Sequence, residues 1–317
     1  MNLKLIFFFY ILTLSSNSIS QYSVYMKYIN FAEQNLIEGN LQKAILFYDS
    51  AFIKNDFPMP KDLHNQIEAL IKTRNFTLTK DKLELLLTNY NICPNYFKRY
   101  SKYISKEKLK TYKVNYDKKI NSNDFILVDS LCKIDQEIRT NENYLNFPNK
   151  IRRVDSLTFQ IFCNRILPRF KNGKLNSSFF FRKMNFEPDV KVYVLVRHWF
   201  QQKFKNTDNV FLSLVETMNF PPEVFADLID VKNGQLENSI YGLITEIEYE
   251  KRVKNIKRTP EQITSINSNR QKLHLPSYEG YLEILDFNKS EKRYIFYNLN
   301  RIIFTGNKAF KVYFEEM

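Results

Sequence analysis

Residues 22–58 read YSVYMKYINFAEQNLIEGNLQKAILFYDSAFIKNDFP, and this stretch decides which fold class to expect. Tyr28, Phe31 and Ala32 recur at helical steps before the Glu38-Gly39-Asn40 turn, and Ala44, Ile45, Tyr48, Ala51 and Phe52 recur after it. Steps of three and four place each set on one face of a helix. Small residues at Ala32, Ala44 and Ala51 let two helix axes approach closely, with aromatic rings filling the flanks. The stretch therefore predicts a helical hairpin, and the chain a mainly α fold.

The hairpin resembles a tetratricopeptide repeat, a helix–turn–helix unit of about 34 residues. Tyr28 stands at the large aromatic position, Ala32 at the small one and Gly39 at the turn, while the usual closing proline comes two residues late, at Pro58. A weaker hairpin follows over 61–90, with Leu63, Ile67, Leu70 and Ile71 on one stripe and Leu83, Leu86 and Leu87 on another. Shorter Lys- and Tyr-rich helices are expected from Tyr96 to Tyr116. So short an array buries its faces only by docking on something else. It serves either as a groove for a peptide or another envelope protein, or as a packing platform, and its shortness favours the platform.

The chain opens MNLKLIFFFYILTLSSNSISQ. Lys4, the apolar run Leu5–Leu14 and the small residues Ser18 and Ser20 have the layout of a signal peptide over 1–20. The run is about ten residues, against the roughly 20 of a membrane-crossing helix. An exported protein, periplasmic or secreted, without a transmembrane segment after signal removal is expected; an uncleaved anchor is the rival. The net charge of +13 is spread along the chain rather than gathered in a stripe, and Lys, Asn, Ile, Phe and Tyr are over-used together, so nucleic acid is not an expected partner. Only 6 glycines argue against Gly-rich nucleotide loops. Cys93, Cys132 and Cys163 allow at most one disulfide and a free thiol; their apolar neighbours favour three small core residues. Their spacing matches no metal motif, and neither metal nor cofactor is expected.

From Ser122 the helical pattern strengthens. Leu127, Leu131, Ile134 and Ile138 define an expected core face, with Asp135 and Arg139 one turn apart on the polar side. Such a pair is usually a surface ion pair worth about 0.3–0.5 kcal/mol. A helix over 151–167 offers Val154, Leu157, Phe159 and Ile161 to the core. Pro188-Asp189 starts the next helix, VYVLVRHWFQQKF (192–204), where Val192, Leu195, Val196 and Trp199 share a face. His198 falls at the border of that face, where a histidine can be half-buried and still reach a partner, or serve as a plain hydrogen-bonded structural residue, the commoner role. Helices over 210–218 and 222–232 should follow, and Thr259-Pro260-Glu261-Gln262 caps another.

The series DQEIR (135–139), LVRHW (195–199), NSIYGL (238–243) and NRQKLHLPSYEGY (269–281) resembles an uncharacterised exported family frequent in Bacteroidota, a domain of unknown function often preceded by a worn tetratricopeptide region. The resemblance covers 122–285. It implies Asp135, Gln136, Arg139, His198, Tyr241, Gly242, Arg270, Pro276 and Tyr281 as site positions. This chain departs from the pattern at Arg197, where a glutamine is usual, and at Leu243 and Ile244, which replace a polar Thr-Gln pair. Residues 172–186 also lack the small, Gly-rich character usual there.

The last thirty residues alternate aromatic and branched side chains around Thr305-Gly306-Asn307-Lys308, a hairpin signal. The expected organisation is a signal peptide (1–20), a tetratricopeptide-like region (21–120), a helical domain (121–285) and a β-hairpin tail (286–317). No HExxH, GxSxG or Walker sequence is present. The reading preferred on sequence is a non-catalytic binding or scaffolding protein of the cell envelope. Its rival is an enzyme, hydrolytic in the simplest case, with His198 as general acid/base, Asp135 and Arg139 beside it and Tyr241 in the same cleft. Gln136, Gly242, Arg270 and Tyr281 would then contribute binding contacts.

Overall fold

The first hairpin forms where the alternation of small and aromatic residues places it. Helix α1 spans 21–37 and α2 spans Leu41–Phe52. Between them Gly39 adopts φ +77°, a left-handed turn conformation that glycine enters without Cβ strain. Ala32, Ala44 and Ala51 are wholly buried, as close helix packing requires. The face of α1 is rotated from the expected one: Tyr25, Met26 and Ile29 are buried, whereas Phe31 is 44% exposed and meets Phe47 across the hairpin, ring centroids 5.3 Å apart.

This computed structural model describes residues 21–53, 55, 58–90, 92–140, 147–180, 189–233, 239–243, 246–249, 252–255, 257–296 and 303–304. The signal-peptide reading of 1–20 and the hairpin around Thr305–Lys308 therefore fall outside the described residues. No helix among those described is long and apolar enough to cross a membrane.

The second hairpin is α3 (Pro60–Lys72) and α4 (Phe76–Asn89). Helix α3 is enclosed from Pro60 to Leu70, so Lys61, Asp62, His64, Asn65, Gln66 and Glu68 are buried along with Leu63 and Ile67. Each of these polar groups needs a partner in that setting. Lys61 Nζ binds Glu33 at 2.7 Å, Tyr25 Oη donates to Asp62, and Gln66 donates to Asp49. A 3-10 segment (Pro94–Tyr100) and α5 (Lys106–Ile120) close this part, with Tyr96, Phe97, Tyr100 and Tyr112 in its core.

Helices α6 (Asn123–Arg139) and α7 (Pro148–Ile161) come next. The helix read over 151–167 does not run through: Phe162–Ile166 widens into a π turn before α8 (Leu167–Lys171). Pro168 has no N–H to donate, and its ring crowds the carbonyl one turn back, which the wider turn relieves. Helix α9 (Val190–Gln201) packs on α6 and α7, and α10 (Thr207–Glu216) packs on α9. The core here is aromatic: Trp199 lies 5.5 Å from Phe159 and 5.1 Å from Phe162, and Phe162 stacks on Phe211 at 5.8 Å.

After Pro222 come α11 (Pro222–Asn233), strands β1 (Glu246–Tyr249) and β2 (Arg252–Asn255), α12 (Pro260–Lys272), α13 (Tyr278–Ser290) and β3 (Ile303–Phe304). Strands β1 and β2 pair antiparallel and β3 joins β1 in parallel, an order β2-β1-β3. Helix α12 has the expected cap: Thr259 and Gln262 satisfy each other's backbone N–H.

The chain falls into two compact units. One holds the described residues through Pro221 together with Arg293–Ile295, and the other holds Pro222–Lys292 with the described residues from Phe296 on. This division differs from the boundaries read at 120/121 and 285/286. The helices on either side of residue 120, α5 and α6, lie in the same unit and touch one another. The cysteines are unbridged; Cys132 is buried, and Cys93 and Cys163 are half-buried.

Candidate functional site

The residues singled out by sequence gather into two clusters, one in each unit. The first is built on α6, α7 and α9. The buried residues of α6 are Phe125, Val128, Leu131, Cys132 and Asp135, so of the expected face Leu131 is buried while Leu127 and Ile138 are half-buried. Ile134 is 41% exposed, and Asp135, read as a surface residue, is fully buried. On α7 the expected Phe159 is buried, but Leu157 is 52% exposed, and Asp155 and Thr158 face inward. On α9 the expected face holds: Val192, Leu195, Val196 and Trp199 are all buried and His198 lies at its edge.

Arg139 links the two buried carboxylates. Its Nη1 donates to Asp135 Oδ1 at 2.5 Å, and its Nη2 donates to both oxygens of Asp155, at 2.7 and 2.8 Å. His198 Nδ1 lies 3.0 and 2.9 Å from the two oxygens of Asp135, and Gln136 Nε2 donates to Oδ2 at 2.7 Å. Both aspartates are completely buried, whereas the side chains of Arg139 and His198 keep 13% and 16% exposure. Below them Trp199 Nε1 donates to Thr158 Oγ1 at 2.9 Å, and that hydroxyl donates to the Asp155 carbonyl at 3.0 Å.

Because an ionised aspartate only accepts, the hydrogen on His198 sits at Nδ1 and Nε2 is left with a lone pair. No partner for Nε2 is found among the described residues. Burial pushes the Asp155 carboxyl above its ordinary range, and the bidentate Arg139 pulls it back down. With a neutral imidazole the set carries two negative charges against one positive. Protonation of the imidazole brings it to neutrality.

Ligand atoms of Asp135, Asp155 and His198 lie within 4.8 Å of one another, close enough to hold a metal ion. Arg139 already bridges both carboxylates, however, and a metal would have to expel that guanidinium. The cation resident in this cluster is Arg139.

The second cluster belongs to the other unit. Asp230 accepts from the backbone N–H groups of Tyr241 at 2.9 Å and Leu243 at 3.3 Å. Arg270 donates to the carbonyls of Tyr241, at 2.8 Å, and Pro276, at 2.5 Å, with its guanidinium 4.8 Å from the Tyr281 ring centre. Tyr281 Oη donates to the Leu243 carbonyl at 3.1 Å. Gly242, at φ +68°, sits where a Cβ would lie 3.0 Å from Tyr278 and 3.1 Å from Ile266. Arg270, Tyr281 and Gly242 thus clamp a backbone turn, and Tyr241 enters through its main chain. Burial raises the Asp230 carboxyl to about 6 against the pull of its backbone donors, and lowers Arg270 to about 10.

Asp155 and Asp230 were missed on sequence. A helical stripe that includes an aspartate among apolar positions was the available signal: Asp155 keeps the three- and four-residue steps of Thr158, Phe159 and Phe162. Comparison with protein-family models, with curated proteins and with solved structures returned no match in any of the three.

Proposed function

We propose that the protein is an exported acid–base enzyme in which His198 Nε2 takes up and returns a proton. The observation that carries this reading is the Asp135–His198 pair, a wholly buried carboxylate facing Nδ1 of an imidazole whose outer edge stays partly open. Asp135 holds the ring orientation and the tautomer, leaving the Nε2 lone pair to accept a proton from water or a substrate hydroxyl. When that proton arrives both ring nitrogens carry hydrogen, and Asp135 offsets the imidazolium. Arg139 bridges the two aspartates and holds Asp135 in place. A hydrolytic reaction, with His198 activating water, is the simplest chemistry these groups support. Buried ion networks are weak contributors to stability compared with well-packed apolar residues, so one with an open edge fits a functional role.

The test is a panel of ester, amide, glycosidic and phosphoester substrates, assayed with the wild type and with His198→Ala. Turnover by the wild type that disappears in the variant supports the reading. Absence of turnover across the panel, or equal turnover in both proteins, overturns it.

A second reading, non-catalytic binding or scaffolding, is favoured by a different observation. A cavity of about 440 Å³ opens between α4 and α5, lined by Tyr112, Tyr116, Thr88, Asn115, Lys108 and Glu84 among others. In that reading the Asp135–Arg139–Asp155 network is a bolt between three helices. Envelope extract passed over the immobilised protein would then yield a bound molecule that His198→Ala retains and Tyr116→Ala loses.

A further inference from the structure

The polar side chains buried along α3 do not all serve α3's helical neighbours. Two of them hold a piece of main chain from more than two hundred residues away. Asn65 Nδ2 donates to the carbonyl of Ile295 at 2.8 Å, and the Ile295 N–H donates to Asn65 Oδ1 at 2.7 Å. One carboxamide thereby pairs with both backbone groups of a single residue, as a neighbouring strand would. One residue earlier on the helix, His64 Nε2 donates to the Arg293 carbonyl at 2.8 Å. The carbonyl can only accept, so the ring hydrogen sits at Nε2 and Nδ1 accepts from Tyr96 Oη. Two turns along the helix, the Lys72 ammonium lies 4.8 Å from the ring centre of Tyr294.

His64 and Asn65 have no exposed surface, so their donors and acceptors are committed to this segment and to the core beneath it. The segment itself has neither helix nor strand hydrogen bonding over 293–295. Its hold consists of backbone recognition by His64 and Asn65, a buried tyrosine ring, and Ile295 packed against the core that contains Leu63 and Ile67. Backbone pairing combined with pockets for particular side chains is how folded proteins take short peptides. The segment has no helix or strand partner for its backbone, so Asn65 satisfies both groups of Ile295 and His64 the carbonyl of Arg293.

We propose that the α3 face is a peptide-binding surface whose resident ligand is the chain's own Arg293–Ile295, and that it accepts from another protein an unstructured peptide carrying a tyrosine followed by a β-branched residue. The inference is independent of the acid–base reading, because none of its residues belongs to the His198 cluster. The resident segment competes from an effective concentration in the millimolar range, so a partner peptide gains access only when the segment is released.

The probe is a fluorescein-labelled peptide with the sequence of residues 291–297, EKRYIFY, titrated by anisotropy into the full chain. Ile295→Pro removes the N–H that Asn65 accepts and frees the segment. This variant should bind the probe about tenfold or more tightly than the wild type. Adding Asn65→Ala to it should abolish that gain. A folded Ile295→Pro protein with no gain, or a gain that survives Asn65→Ala, overturns the proposal and leaves the contact as fixed packing. Should Ile295→Pro fail to fold, hydrogen exchange at the Ile295 amide of the wild type decides. Excess unlabelled peptide accelerates that exchange if the surface is exchangeable, and unchanged exchange at millimolar peptide overturns it.

Discussion

His198 Nδ1 faces both carboxylate oxygens of Asp135, 3.0 and 2.9 Å away, although 63 positions separate the two residues. The carboxylate is sealed and the imidazole is not, so the two partners should respond differently to substitution. Asp135→Asn weakens the bond to Arg139 inside the core and should cost about 3–5 kcal/mol, the usual result of breaking a buried charged pair. His198→Gln should cost about 1 kcal/mol, because water reaches the group that is lost. Urea unfolding of both variants checks the order, and a larger loss at His198 would contradict it.

Among the described residues Arg139 is the cation that forms an ion pair with Asp155, which it binds through both oxygens. Arg139→Met should therefore destabilise the protein by roughly 3–5 kcal/mol near neutral pH. Arg139→Lys should recover little, since an ammonium does not present two parallel N–H groups. The pH sign follows from Asp155, already raised by burial and held down by Arg139. Without the arginine its folded pKa rises further above the unfolded value. The variant is then closest to wild-type stability below the ordinary carboxylate pKa and loses ground as pH rises. Thermal unfolding at pH 4 and pH 7 measures this.

His64 and Asp230 should give opposite pH responses. Burial holds His64 neutral by lowering it from 6.5 to about 3, so the unfolded chain binds its proton first and stability falls as pH drops below 6.5. Asp230 is raised from 3.8 to about 6, so its contribution is complete below 3.8 and is lost as pH climbs toward 6. Each unit of pKa difference is about 1.4 kcal/mol. Subtracting the unfolding profile of His64→Gln from that of the wild type should leave a curve rising with pH, and the same subtraction for Asp230→Asn a falling one. Curves of the same sign would refute the assignment.

Gly39 and Gly242 share a left-handed backbone but not their surroundings. A Cβ at Gly39 would meet nothing within 4 Å, whereas one at Gly242 would press on Tyr278 and Ile266. Gly39→Ala should cost about 1 kcal/mol, the backbone term alone. Gly242→Ala should cost about 1–3 kcal/mol, because crowding adds to that strain. Comparison of the two melting temperatures tests the difference.

Much of the helical layout was legible in the chain. Ala44, Ile45, Tyr48 and Ala51 on α2, and Val192, Leu195, Val196 and Trp199 on α9, are buried as their spacing predicts. The errors were errors of phase. On α1 the buried face is rotated toward Tyr25, Met26 and Ile29, and on α6 and α7 an apolar stripe competes with one that includes Asp135 or Asp155. An apolar residue such as Ile134 or Leu157 can stand in water at modest cost. A buried aspartate is tolerated only where a partner waits, and that partner is not visible along one helix. The antiparallel pair β1–β2 had no clear signal either, lying in a charged stretch, EIEYEKRVKN, without the turn residues that mark a hairpin.

The sequence by itself determined the local elements: the helical periods, the Thr259 cap, the glycine at the first turn and His198 at the edge of an apolar face. Each depends on residues within a few turns of one another, where spacing and side-chain shape suffice. Only the tertiary structure decided what the polar residues do. It brought Asp135, Arg139 and His198 together around an Asp155 that no motif marked, and it assigned Tyr241, Arg270 and Tyr281 to a turn in the other unit. It also laid Arg293–Ile295 against Asn65. A buried charge or amide takes its role from the group that satisfies it, and here those groups lie 16, 63 and 230 residues away.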